Sequence, residues 1–366
     1  MYNGIEEGAN IPELLKFKRN APVKNASDFL KRREEIKAIL EEHEYGHIPK
    51  KPLHLNAEIK SEDRGFCAGK AIYRKLSITV SFESEEFSFP VSEVTPKSDT
   101  PVPAFVFMNF RPDVPDKHLP SEEIADNGFA VFSFCYNDIT ADNGNFKNGI
   151  AKHFINKRRK ASDPGKIAMW AWAAMRVMDY IVTLSYVDKN NVAVIGHSTL
   201  GKAALVAGGF DERFKYVISN DSGCSGAAIS HGKIGENLAV ITDVFPYWFC
   251  KKYAKYAGNE NSLPFDQHFL IALSIPRHVM IGSAELDTRA DPESEFKGLC
   301  LASEAYHLFG MKGLVHNGKT PLPKTVLDEG DALYQVRRGT HYLSREDWNE
   351  YIRFIKKKMQ EKNDVR

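Results

Sequence analysis

The residues with the clearest chemical potential run Gly196-His197-Ser198-Thr199-Leu200-Gly201-Lys202. Before them stands Asn191-Val192-Ala193-Val194-Ile195-Gly196, an apolar, β-branched run that reads as a buried strand, and after them residues 203–210 (AALVAGGF) read as a helix. A serine on so sharp a strand-to-helix turn has its hydroxyl exposed above the sheet, placed to attack an acyl carbon. The usual spacing is Gly-x-Ser-x-Gly; here the second glycine comes one place late, at Gly201. A serine at this position can also simply cap the helix. The strand before it and the helix after it favour the nucleophile.

A hydroxyl is a weak nucleophile until a base takes its proton. In serine hydrolases built this way the partners follow in the order serine, acid, histidine. His341, in Arg338-Gly339-Thr340-His341-Tyr342, comes at the end of the last strand-like stretch, which starts at Leu333, and before the closing helix. His231, His268, His278, His307 and His316 fall inside elements or in earlier loops. The acid that holds the imidazole tautomer has two candidates. Asp287 ends the run His278 to Asp287, the customary place, and is favoured; Asp221, ending Tyr216 to Asp221, is the alternative. Glu285 and Asp291 fit less well, since Asp291 before Pro292 also suits a helix cap. The oxyanion hole would draw on the Thr199 N–H and on one from the loop around Asn109 to Arg111, with Phe110 and Arg111 as its donors.

These groups need a scaffold, and the chain supplies one. Continuous apolar runs at Pro103 to Phe110, Phe129 to Tyr136, Asn191 to Gly196, Tyr216 to Asp221, His278 to Asp287 and Leu333 to His341 read as strands buried on both faces. Helical patterns alternate with them. One spans about Asp163 to Ser185, with Ile167, Trp170, Ala174, Met178 and Ile181 along one face, and a closing helix runs from Ser344 to about Lys358. Such alternation predicts an α/β-hydrolase fold, a mostly parallel central sheet flanked by helices in a three-layer sandwich. Residues 26–43 read as a helix capped by Ser27, and about Leu53 to Val94 alternates apolar and polar residues as antiparallel strands do. The expected organisation is one domain over residues 1–366, with 1–100 as a helical and antiparallel-strand extension of the same sheet.

A hydrophobic fraction of 43% over 366 residues suffices for a large core. Lys and Arg total 49 against 48 Asp and Glu, a net charge of +1 that gives no electrostatic reason to expect nucleic acid or a membrane as partner. The short basic clusters at residues 157–160 and 356–358 read as solvated surface. The 5 cysteines, Cys67, Cys135, Cys224, Cys250 and Cys300, show no metal-binding spacing and read as reduced thiols. No leader is visible in the opening residues and no run approaches the ~20 apolar residues of a membrane span. The expectation is a cytoplasmic protein, or a secreted one if a leader has been removed. Oligomeric state is not legible.

The motif Gly-His-Ser-Thr-Leu-Gly-Lys resembles the elbow of the glucuronoyl esterases, carbohydrate esterase family 15. Asn220 to Ala228 (NDSGCSGAA), Leu263 to His268 (LPFDQH) with Ala272-Leu273 and Pro276-Arg277, Leu286 to Pro292 (LDTRADP), and Arg32-Arg33-x-Glu35-Ile36 with Tyr45-Gly46 resemble further segments of that family, in order. The resemblance implies hydrolysis of esters between glucuronic acid and lignin alcohols, through an acyl-enzyme and with no metal or cofactor. It implies sugar contacts for Lys202 and Glu236. Fungal members carry a glutamate where Asp221 stands, and many bacterial members use the aspartate matching Asp287. Two residues depart from the pattern. Thr199 stands where the family has an arginine that helps hold the oxyanion, and Arg289 where it has a tryptophan that packs on the sugar. A guanidinium at Arg289 could pair with a uronate carboxylate or simply face solvent. The leading expectation is therefore a serine carboxylic ester hydrolase acting on a carbohydrate-linked ester. The alternatives are an acetyl (xylan) esterase or a non-catalytic carbohydrate-binding relative.

Overall fold

A computed structural model describes residues 11–83, 85–155 and 158–364. Residues 1–10 of the opening stretch and Lys157 of the basic cluster lie outside them. Ten strands form one sheet: β1 (His54–Asp63), β2 (Ala71–Ser81), β3 (Glu86–Pro96), β4 (Val102–Asn109), β5 (Ala130–Cys135), β6 (Val187–His197), β7 (Tyr216–Asn220), β8 (His278–Ala284), β9 (Thr325–Leu327) and β10 (Leu333–Arg337). Their spatial order is β1-β2-β3-β5-β4-β6-β7-β8-β10-β9. The middle of the sheet, from β5 to β10, is parallel, while β1, β2 and β3 continue it antiparallel at one edge and β9 closes the other.

The helices are α1 (Ala26–His43), α2 (Ser121–Asp126), α3 (Tyr136–Ile139), α4 (Ala151–Phe154), α5 (Lys166–Ile181), α6 (Thr199–Phe210), α7 (Leu238–Val244), α8 (Gln267–Ala272), α9 (Pro292–Ser303) and α10 (Arg345–Asp364). They cover both faces of the sheet, so alternate strand residues enter different cores. In β4, Val106 and Met108 join the core of α1, α5 and α6, while Phe105 and Phe107 face α10. There the Trp348 ring meets Phe105 and Phe107 edge-on, centroids 5.1 and 5.5 Å apart. Burying each such ring contributes ~1.5–3 kcal/mol, enough to dock α10 and with it the loop that precedes it.

Local readings differed at two helices. The cap of α1 is Asn25, whose side chain accepts the Asp28 N–H at 3.0 Å, two residues before the expected Ser27. Both residue types cap well, so composition alone did not separate them. Helix α5 is buried nearly all round rather than along one stripe. It lies beneath the sheet with α6 on its flank, and even its Lys166, Arg176 and Asp179 are buried.

Candidate active site

The parallel strands β6, β8 and β10 end at the same edge of the sheet, and a candidate residue follows each: Ser198, Asp287 and His341. Loops at the carboxyl ends of parallel strands are where α/β proteins converge groups from distant parts of the chain.

Ser198 sits at φ +57°, ψ −126°, a conformation non-glycine residues rarely hold. It occupies the N-cap position of α6, yet its side chain makes no capping bond. Its hydroxyl instead lies 2.8 Å from Nε2 of His341. The displaced glycine has a steric reason. A Cβ on Gly196 would come within 2.0 Å of the Leu200 carbonyl oxygen, so the first glycine is obligatory. A Cβ on Gly201 would press on Ser222, Ser219 and the Asn220 carbonyl at 3.0–3.2 Å. The close approach of α6 to β7 therefore falls at 201, while Leu200 is buried in the core.

Nδ1 of His341 lies 2.5 Å from Oδ2 of Asp287, and Oδ1 of Asp287 accepts the Ala290 N–H at 3.2 Å. Burial opposes charge on Asp287, but the His341 hydrogen bond and charge outweigh it, and the carboxyl is held below its ordinary range. Asp221 has a different setting. Its Oδ2 accepts long bonds of 3.4 Å from Arg337 Nη2 and the Tyr342 N–H, and its Oδ1 has no partner among the described residues. Burial, reinforced by Glu295 and Asp347, pushes its pKa far up. A carboxylate oxygen of Asp221 lies within 4.8 Å of ring nitrogens of His197 and His341, close by without bridging to His341. Both acids thus reach the neighbourhood, but the short bond and the retained negative charge belong to Asp287. Glu285 and Asp291 serve the backbone: the Glu285 N–H donates to the Arg337 carbonyl, and Asp291 caps α9.

Arg337 is a residue that sequence reasoning missed. Its buried guanidinium donates to the carbonyls of Arg338 (3.0 Å), Thr340 (2.9 Å) and Tyr342, and its Nε reaches Asp347 at 2.8 Å. One side chain therefore gathers the carbonyls on both sides of His341. Nothing in Arg337-Arg338 distinguishes the inward arginine except strand alternation after Val336. His197, below the site, is kept neutral by burial and the nearby His341, and its Nδ1 pairs with Asn220 Oδ1 at 2.7 Å.

A cleft of about 420 Å³ opens over these groups, lined by Ser198, Thr199, Lys202, Glu236, Arg289 and His341 together with Phe245 and Trp248. Lys202 donates to the Ser222 carbonyl, and burial lowers its pKa. Arg289 is exposed, and its Nε and Nη2 both bind Oε1 of Glu236, so it spans the cleft wall rather than pointing freely into solvent. Phe245 and Trp248 stack face to face with centroids 3.8 Å apart, an aromatic wall the sequence did not single out. Of the expected oxyanion donors, Thr199 lies in the cleft wall as the first residue of α6, where an N–H has no intrahelical acceptor. Phe110 and Arg111 are not among the described lining residues. The Phe110 N–H is taken by Asn109 Oδ1 at 2.8 Å and the Arg111 side chain by Asp116.

A family model described as glucuronyl esterase of fungi matches residues 78–310. A carbohydrate esterase from an unknown prokaryotic organism is 32% identical over 363 residues, covering 88% of this chain and 83% of that protein. The 4-O-methyl-glucuronoyl methylesterase of Podospora anserina is 28% identical over 72% of this chain, which spans only 53% of that longer protein. Among solved structures, a glucuronoyl esterase from Solibacter usitatus superposes with a TM-score of 0.89 at 34% identity, covering 94% of this chain and 97% of that one. A promiscuous esterase of the same family from a marine bacterial metagenome superposes at 0.86 with 31% identity, covering 94% and 96%. With the elbow, the sheet and the chain-long likeness in agreement, the chain belongs to the glucuronoyl esterase family, carbohydrate esterase family 15, built on the α/β-hydrolase fold.

Proposed function

We propose that this protein is a serine carboxylic ester hydrolase that cleaves an ester of a sugar-linked uronic acid through an acyl-enzyme on Ser198. The observation that carries the reading is the continuous chain Ser198 Oγ–His341 Nε2, 2.8 Å, and His341 Nδ1–Asp287 Oδ2, 2.5 Å, at the floor of an open cleft. His341 takes the Ser198 proton as the oxygen attacks the ester carbon, and the ionised Asp287 stabilises the resulting imidazolium. The Thr199 N–H faces the developing oxyanion, a donor of the kind worth ~2.7–4 kcal/mol in such sites. His341 then returns the proton to the departing alcohol, and a water activated by the same histidine releases the acid and regenerates the serine. Lys202 and the Glu236–Arg289 pair, all in the cleft wall, suit sugar hydroxyls and a uronate. The relatives named as glucuronoyl esterases and methylesterases support this substrate class.

The test is a panel of esters under one set of conditions: methyl and benzyl glucuronate, and acetylated sugars. The reading predicts a kcat/KM for the glucuronate esters at least tenfold above that for the acetylated sugars. Preference for the acetyl esters would instead make this an acetyl esterase, and no turnover of any ester would leave a carbohydrate-binding protein.

A further inference from the structure

Beside the active-site cleft lies a separate polar one of about 310 Å³, lined by Ser230, His231, Lys233, Asn237, Asn259 and Glu260, among others. The two share a wall, because Glu236 lines the first and the next residue, Asn237, the second. Lys233 joins them further: it lines the polar cleft, and its ammonium donates to the carbonyls of Ile234, Arg289 and Ala290, the last two on the segment that lines the active site.

The polar cleft holds a second histidine–aspartate pair. Nδ1 of His231 lies 2.6 Å from Oδ2 of Asp266, a fully buried carboxylate whose Oδ1 accepts the N–H groups of Ser230 and Gln267, both at 2.7 Å. With Nδ1 committed to Asp266, Nε2 is the ring nitrogen of His231 left to meet a ligand. His231 is 7% exposed and Ser230 6%, and both Nε2 of His231 and Oγ of Ser230 are buried without a partner among the described residues. A buried polar atom without a partner costs ~1–3 kcal/mol, so something polar belongs there. The lining restricts what. The Lys233 ammonium is spent on carbonyls and Glu260 is acidic, which disfavours an anion. An apolar ligand would leave the ring nitrogen, the hydroxyl and the asparagine amides unpaired. A neutral molecule rich in hydroxyls satisfies both donors and acceptors, and the volume falls at the lower end of the ~300–1,000 Å³ typical of small-ligand sites.

We propose that this cleft is a second saccharide subsite, which holds a neutral sugar unit of the chain bearing the ester, with Nε2 of His231 hydrogen-bonded to one of its hydroxyls. The assignment rests on the carbohydrate-ester reading of the neighbouring cleft. The experiment therefore measures binding without turnover. Ser198→Ala protein is titrated with xylotriose and with cellotriose. At least one should bind saturably, about tenfold more weakly when His231→Phe is added, which fills the ring's space but offers no hydrogen-bonding nitrogen. Asn259→Ala, at an exposed loop position, should weaken binding in the same direction and guards against a folding defect in the first variant. In otherwise wild-type protein, His231→Phe should raise KM for an oligosaccharide-linked glucuronate ester relative to KM for methyl glucuronate, with kcat retained. No binding of either trisaccharide, or binding indifferent to both substitutions, would overturn the proposal and assign the unmet atoms to trapped water. Saturable, substitution-sensitive binding would uphold the subsite even if every ester in the panel went uncleaved, so its failure is distinct from failure of the esterase reading.

Discussion

Replacing Asp287 by asparagine separates the two candidate acids. Asp287 uses a different oxygen for each of its donors, Oδ2 for His341 at 2.5 Å and Oδ1 for the Ala290 N–H at 3.2 Å. Asparagine has one carbonyl oxygen. If it keeps the Ala290 N–H, its amide NH₂ faces Nδ1 of His341 and stabilises the tautomer with the proton on Nε2. That proton then points at Ser198 Oγ, 2.8 Å away, and the ring can no longer act as base. The same exchange in the serine-protease triad lowers kcat by ~10⁴, equivalent to ~5.5 kcal/mol of barrier. Here the His341 side chain is 43% exposed, so water can stabilise part of the imidazolium, and a loss of ~10²–10⁴ in kcat with little change in KM is expected. Asp221→Asn removes only bonds of 3.4 Å and should cost less than about tenfold. The assay is initial-rate hydrolysis of methyl glucuronate by both variants, with circular dichroism to check folding. An Asp287→Asn enzyme within about tenfold of wild type, beside an Asp221→Asn enzyme that has lost most of its activity, would refute the reasoning.

Arg337→Met should loosen the His341 loop and strip the guanidinium from the buried Asp347, costing ~3–5 kcal/mol of stability, seen as a lowered Tm, together with a fall in kcat. Gly201→Ala places a methyl 3.0–3.2 Å from Ser222, Ser219 and the Asn220 carbonyl and should destabilise by ~1–3 kcal/mol, whereas Gly196→Ala, 2.0 Å from the Leu200 carbonyl oxygen, should prevent the elbow from forming; thermal melts and activity distinguish the two. Burial pushes the pKa of Glu44 up to about 8. An unfolded glutamate titrates near ~4.3, so the folded state holds the extra proton between these values and stability falls as pH rises through that window. Glu44→Gln should therefore match wild type in urea melts at pH ~5 and exceed it at pH ~9 by up to a few kcal/mol.

Much of this was legible in the sequence because the parallel strands are buried on both faces and leave continuous apolar runs. Ser198, Asp287 and His341 each follow such a run, so their order and placement could be read before any coordinates. Position favours Asp287 over Asp221 without deciding between them, since both end strands; the decision turns on a 2.5 Å contact and on which carboxyl keeps its charge. Arg337 escaped notice because its partners are main-chain carbonyls, which leave no mark in side-chain spacing. The Glu236–Arg289 pair joins residues 53 positions apart, and only the fold brings them together. The Phe110 N–H, expected as an oxyanion donor from its position after β4, is instead taken by the neighbouring Asn109 Oδ1.

The central claim, that Ser198 is an activated nucleophile, is tested most directly by treating the protein with a fluorophosphonate probe and locating the adduct by peptide mass spectrometry. The account predicts a single adduct on Ser198, absent from Ser198→Ala and strongly slowed in His341→Ala. Folded wild-type protein that takes up no probe, or takes it up on another residue, would contradict it.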